Sequence, residues 1–203
     1  MESPARQVVT DAIGILNSLL RKAMILSSKT PIDKSIMLDD FVETISDEEN
    51  FDWGGLDDLA AVVPASAVVK AFDVATGSFA RDILCRICCQ RIISGAAFGL
   101  ISCLDDEDMD VRNYSLEALA ALFFMGRKLP VGAGELLSEA LSRRLREEKK
   151  IGLLSSVVQL LPFAMGEMTR STLLSLEDHE DSRVKLQARR GIEYLDRIKV
   201  EHS

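Results

Sequence analysis

The chain reads as an all-α protein, and three observations carry that reading. Apolar residues recur at steps of three and four through segments of about ten to twenty residues, separated by short polar breaks. No stretch alternates apolar and polar residues as a half-buried strand does, and no Asn-Gly or Asp-Gly pair offers a two-residue hairpin turn. Aromatic residues make up only 5% of the chain and prolines number 5, a composition that leans toward helices over a sandwich or barrel. At 203 residues the chain is long enough to bury a sizeable core without disulfides.

The first helix is expected from about Ser3, an N-cap followed by Pro4 at the first helical position, to about Ser27. Its Val9, Ile13, Leu16, Leu20 and Met24 form one stripe, and Pro31 ends it. Residues 31–64 follow as an acidic, aromatic-bearing connection with weak periodicity, the Gly54–Gly55 pair and one short helix from Leu56 to Val63. Dense helical patterning resumes after Pro64 and continues to about Lys199, with helices expected near 78–93, 95–104, 111–126, 133–146, 150–165, 167–177 and 182–199. The organisation is thus a capping helix (1–30), the acidic connection (31–64) and a helical array (65–203), all within one continuous domain.

Charge is concentrated in the connection. The net charge is −8, yet residues 31–60 hold ten acids against the single base Lys34, so that this stretch nets −9 and the other 173 residues +1. This balance argues against a general affinity for phosphate backbones, and nucleic acid is not an expected partner. No run approaches the length of a membrane span, and the opening Met-Glu-Ser-Pro-Ala-Arg carries no apolar core of a signal peptide. The four cysteines, Cys85, Cys88, Cys89 and Cys103, crowd into the middle of the chain rather than spreading as a disulfide framework would. A reducing cytoplasm, or the nucleus, is the compartment they fit.

Internal similarity organises the second half. In residues 104–119 an acidic turn is followed by Asp110-Val111-Arg112, which opens a helix with Val111, Ser115 and Leu119 at steps of four. Residues 176–192 repeat the plan with Arg183-Val184-Lys185, Ala188 and Ile192. Ile151, Ser155 and Gln159 supply a middle copy, and Phe79, Ile83 and Ile87 an earlier one, giving steps of 32, 40 and 33 residues.

At these residues the chain resembles the HEAT-repeat (armadillo-like) family of stacked helix pairs, over about residues 65–199. The resemblance implies a right-handed α-solenoid of about four to five antiparallel helix pairs. It also implies that the turn aspartates, with Asp110, and the Arg112 and Lys185 positions form a ladder tying neighbouring repeats. The middle copy, Lys150-Ile151-Gly152, lacks both the acid and the arginine of that ladder.

Several motifs that could carry chemistry have plainer readings. Cys85, Cys88 and Cys89 share one helix face, but a second ligand pair for zinc is missing, so core packing is the expectation and no metal or cofactor is assigned. His179-Glu180 is a single pair, and the only other histidine is His202, which argues against His-based acid–base or nucleophilic catalysis. Val131-Gly-Ala-Gly134 lacks both the preceding strand and the spacing of a phosphate loop. The basic run Arg143–Lys150, diluted by Glu147 and Glu148, reads as a solvated turn that could receive the chain's own acidic segment.

The functional expectation is therefore a non-enzymatic scaffold or adaptor that binds a protein partner along a curved helical surface. Candidate contacts are Asp47, Glu48, Phe51, Asp52 and Trp53 in the acidic segment, where the sole tryptophan is the natural anchor, and Asn113, Glu117, Arg190 and Glu193 on the second helices of the pairs. The carboxylates suggest a partner with a basic surface. The alternatives are an acidic, immunity-type inhibitor masking a basic toxin or nuclease, and an enzyme on a HEAT-like frame, which the charge balance disfavours.

Overall fold

The computed structural model describes residues 34–164 and 169–201. The described residues from Asp40 onward belong to one compact unit. The helix expected over residues 3–27 and its capping role lie outside the described residues, as does the side-chain arrangement of the tail from residue 199.

All described regular structure is helical. The chain forms α1 (Lys34–Ser46), α2 (Leu56–Val62), α3 (Ala65–Val74), α4 (Ser78–Arg91), α5 (Ala97–Cys103), α6 (Met109–Phe124), α7 (Ala133–Glu147), α8 (Ile151–Leu160), α9 (Thr169–Leu176) and α10 (Ser182–Glu201). Short 3₁₀ turns at Trp53–Gly55, Ser94–Ala96 and Leu161–Phe163 lead into or out of α2, α5 and α8.

Most boundaries have a local cause. The Asp52 carboxylate accepts the Gly54 amide at 3.0 Å, and Asp57 and Asp58 place negative charge in the first turn of α2. Asp108 caps α6 by accepting the Asp110 amide at 2.7 Å. The other end of α6 closes on Gly126 at φ +65°, where the Arg127 amide reaches the Leu122 carbonyl and the Gly126 amide that of Phe123. This paired closure needs a left-handed residue, which glycine adopts without a Cβ penalty. At the end of α4 the same left-handed position is held by Ile92 at φ 54°, a β-branched residue for which it costs roughly 1–2 kcal/mol.

Two rows of helices make up the unit. In one row α4 packs on α6, α6 on α8, and α8 on α10. In the other, α3 packs on α5 and α5 on α7, and α7 meets the 161–163 turn beside α9. Successive helices also pair, α5 with α6, α7 with α8 and α9 with α10. Ile83, Leu84, Ile87, Leu100, Leu119, Leu122, Leu137, Leu141, Leu160 and Leu173 fill the space between the rows and are fully buried. Burying such a side chain contributes about 1.5–3 kcal/mol. No two-turn helix could keep this apolar face from water alone, so the helices are stable as a stack.

Close approach between helices depends on missing side chains. A Cβ on Gly99 of α5 would stand 2.3 Å from the Phe72 ring of α3, and one on Gly191 of α10 would meet Pro162 at 2.9 Å and Leu173 at 3.0 Å. Ser115 of α6 is fully buried and donates its hydroxyl to the Leu100 carbonyl of α5 at 2.5 Å.

The acidic connection is more regular than its periodicity suggests. Residues 34–46 form α1, where the sequence showed only weak periodicity. Phe41 and Ile45, one turn apart, are its buried anchors, and the carboxylates around them dilute the apolar signal.

Candidate partner-binding surface

The acidic segment is fastened to one stripe of α4. Phe51, Trp53 and Phe79 form a mutual edge-to-face cluster with ring centroids 5.1–5.7 Å apart. Two turns along α4, the Arg86 guanidinium lies over the Trp53 ring at 5.1 Å and over the Tyr114 ring of α6 at 3.8 Å. One turn further, Gln90 donates to Asp57 at 2.8 Å. Arg91 closes the stripe by donating to the carbonyls of Ala60, at 2.9 Å, and Val63. The stripe thus joins aromatic, cation–π and hydrogen-bond contacts to helix α2 and the turn before it.

Arg86 is held by more than the rings. Its Nε donates to Asp82 at 2.8 Å, one turn back on α4. Asp82 is buried, and its Oδ1 has no hydrogen-bond partner among the described residues. Burial raises the Asp82 pKa above its ordinary value; the Arg86 contact opposes this, and the charges of Asp110 and Asp108 add to it. On the neighbouring helix, Asn113 donates to Glu117 at 3.0 Å, and the Tyr114 carbonyl between them accepts from the Cys89 thiol at 3.3 Å.

Of the residues singled out from sequence, Phe51 is in ring contact with Trp53, and Asn113 bonds to Glu117. Phe51 and Trp53 sit on α4, and Asn113 and Glu117 flank the turn of α6 that bears Tyr114. Trp53 is 47% exposed, so one side of the indole is pinned and the other faces solvent. Asp47 accepts from both the amide and the side chain of Asn50, Asp52 caps the turn at Trp53, and Glu48 is exposed. Arg190 and Glu193 are exposed on α10, at the far end of the row from α4.

Ion pairs at the turns follow a pattern the sequence only partly revealed. Arg112, in the first turn of α6, reaches Glu148 at 3.2 Å and donates to the carbonyls of Asp106 and Glu107 at 2.9 Å. Arg81, at the matching place in α4, reaches Asp106 at 2.9 Å, and Ser78 donates to the same carboxylate at 2.7 Å. Asp106 and Glu148 each stand three residues before the next helix of the row, and each accepts the backbone amide two residues on. His179 occupies the third such position and accepts the Asp181 amide through Nδ1 at 3.1 Å. The middle copy does carry an acid, Glu148, whereas Leu154 stands where α4 and α6 have arginine. Asp110 is exposed and is not the partner of Arg112, and the backbone amide of Lys185 bonds to the Asp181 carbonyl.

Two arginines of the basic run 143–150 pair with nearby acids. Arg143 donates through Nε to Asp105 at 2.9 Å and also through Nη2, while Arg144 pairs with Glu147 and lies 3.4 Å from Asp105. The acids that meet Arg143 and Arg144 are thus Asp105, from the turn after α5, and Glu147 of their own helix.

Cys85, Cys88 and Cys103 are buried, and all four cysteines are free thiols. A hydrogen bond to Cys103, together with burial, holds the Cys85 thiol well above its usual pKa. Burial, reinforced by Glu117, pushes the Cys89 thiol up to about 12. Such thiols are weak nucleophiles and pack as small apolar groups. Among the described residues, no group of three or more His, Cys, Asp or Glu is placed to hold a metal ion, and no helix is long and apolar enough to cross a membrane.

Sequence reading missed Arg86 and Tyr114, which join the acidic segment to α6, and also Arg81, Asp105 and Asp106. The 79–86–90 spacing along one helix face was the available signal for the first of these. No protein-family model, curated protein or solved structure matches the chain.

Proposed function

We propose that the chain is a short α-solenoid of stacked helix pairs, α3 with α4 through α9 with α10, and that it serves as a non-enzymatic scaffold or adaptor for a protein partner. The observation that carries this reading is the side-by-side row α4, α6, α8, α10, with equivalent acceptors at Asp106, Glu148 and His179 before its last three helices. A row of this kind presents one residue set per helix along an extended surface, the usual basis of recognition in helical arrays. Trp53 and the Asn113–Glu117 pair at one end, and Arg190 and Glu193 at the other, are the contacts assigned to the partner. Four unpaired thiols fit a reducing compartment, the cytoplasm or nucleus.

Affinity capture with the wild type and with a Trp53→Ala, Glu117→Arg, Glu193→Arg variant tests the reading. A partner retained by the wild type and lost from a variant with unchanged circular dichroism supports it. Equal recovery on both, or no specific partner, sinks it.

One observation favours a second reading, the acidic inhibitor. Trp53 is half-exposed within a stretch, residues 40–58, that holds eight carboxylates and no base. Such a surface would steer toward a cationic site and bury the indole there. Neutralising Asp47, Glu48, Glu49 and Asp52 separates the two readings, because masking of a basic partner would be lost and capture along the helix row would persist.

A further inference from the structure

The last helix of the row carries an exposed stripe of mostly charged residues. On α10, Val184, Ala188 and Gly191 are buried against α8 and α9, while Arg183, Leu186, Arg190, Glu193 and Arg197 recur at steps of three and four on the exposed side. Leu186, near the middle of the stripe, is 47% exposed. Arg183 is held by Asp181 and Arg197 by the Glu193 carbonyl, but Arg190 makes no side-chain hydrogen bond or ion pair with any described residue. Residues 182–201 hold six bases and three acids. An apolar centre flanked by arginines is suited to an acidic segment that also carries apolar side chains.

The chain contains such a segment. Residues 40–58 bear eight acids and no base, with Glu43, Glu48 and Glu49 exposed, and Trp53 and Val62 stand 47% and 38% exposed beside them. Within one molecule the two cannot meet. The segment is fixed on α4 by Phe79, Arg86, Gln90 and Arg91, and α6 and α8 lie between α4 and α10 in the row.

We propose that the α10 stripe is a docking surface for the acidic segment of a second copy of this chain. The inference rests on the reading of the helix row as a binding surface and names the partner at its Arg190 end. The contact joins unlike surfaces, so each association leaves one acidic segment and one α10 stripe free. Assembly is therefore head-to-tail, continuing as a chain or closing into a ring; it grows with concentration and weakens as salt screens the charges.

Sedimentation velocity of the purified chain across a concentration series, at low and at high salt, tests the proposal. The expected result is an average mass that climbs with concentration at low salt, with association about tenfold or more weaker at high salt. Two exposed-surface variants then divide the interface: Leu186→Asp with Arg190→Glu on one side, and Glu48→Lys with Glu49→Lys on the other. Each alone is expected to remain monomeric with unchanged circular dichroism, and their mixture to form a one-to-one dimer that grows no further. A wild type that stays monomeric at high concentration in low salt overturns the proposal. So does association that survives either pair of substitutions, or a mixture that fails to assemble. A monomeric wild type would leave the adaptor reading standing, because capture of an unrelated partner is measured separately.

Discussion

Arg112 and Glu148 lie 36 residues apart in the chain and meet at 3.2 Å, with only 14% and 5% of their side chains exposed. The arginine also donates to two backbone carbonyls in the turn before its own helix, so a single guanidinium links the start of α6 to the start of α8. Arg112→Ala is expected to cost about 2–3 kcal/mol, because it takes the guanidinium from a buried carboxylate and two carbonyls and leaves Glu148 only the Lys150 amide. Arg112→Lys is expected to recover only part of that loss, since an ammonium cannot reproduce the fork that reaches all three acceptors. Urea unfolding midpoints measure both, and a full recovery in the lysine variant would show that charge alone matters.

Acid stability should carry the signature of two buried carboxylates that act in opposite directions. Burial alone would raise the Asp106 pKa, but Ser78, the Asp108 amide and Arg81 outweigh it and bring the value below normal. Its stabilising contribution is then complete above the unfolded pKa of about 3.9 and fades as pH falls through the lower folded value. Asp82, whose pKa is raised by burial, is penalised when ionised, and that penalty is relieved as pH falls through its folded value toward 3.9. Asp106→Asn should therefore be about 2 kcal/mol less stable than wild type at neutral pH, with the gap closing in acid. Asp82→Asn should compare best with wild type at neutral pH and worst in acid. Chemical denaturation at several pH values checks both signs.

Glycine substitutions should divide by what surrounds them. Gly99→Ala forces a methyl group into the Phe72 ring and should destabilise by about 1–3 kcal/mol, with Gly191→Ala similar against Pro162 and Leu173. Gly134→Ala and Gly152→Ala, in the first turns of α7 and α8, meet nothing within 4 Å and should stabilise by about 0.5–1 kcal/mol. Thermal midpoints of the four variants measure the contrast. Partial recovery in the Gly99→Ala, Phe72→Leu double variant would locate the strain at that ring.

The single tryptophan reports on the acidic segment directly. Arg86→Ala removes the cation over Trp53, an interaction worth about 0.5–1 kcal/mol at such an exposed site, and Phe79→Ala removes the floor of the aromatic cluster. Both should shift Trp53 emission to the red and raise its accessibility to a neutral quencher, and Arg86→Ala should also lower global stability by about 1–3 kcal/mol because it takes the donor from the buried Asp82 carboxylate. Unchanged emission in both variants would mean that the segment is held elsewhere.

The helices from residue 78 onward were legible because each carries an apolar face. The spacing predicts 133–146 and 182–199, and the structure has Ala133–Glu147 and Ser182–Glu201. Helix α5 begins two residues later than its pattern suggests, because Ser94–Ala96 is wound as a 3₁₀ turn. Helix α1 was hidden, since only Phe41 and Ile45 are buried in its described part and carboxylates crowd around them. At the candidate surface, Phe51 and Trp53 could be recognised as aromatic anchors in an acidic setting. Arg86 could not, because its partners lie 33 residues before it and 28 after it, and its own neighbours are the cysteines that draw the eye. Asp105 was equally obscure as the counter-charge for Arg143, 38 residues away. Long-range pairing of this kind depends on how the helices stack, which no local pattern records.

Arg91 closes helix α2 from outside it, by taking up the carbonyls of Ala60 and Val63. A seven-residue helix is too short to persist on its own in water. As an excised peptide, residues 51–63 would therefore be a coil, and in the whole chain they wind only after α4 has formed. This short helix is thus expected to arrive late in the folding reaction and to peel away early under stress.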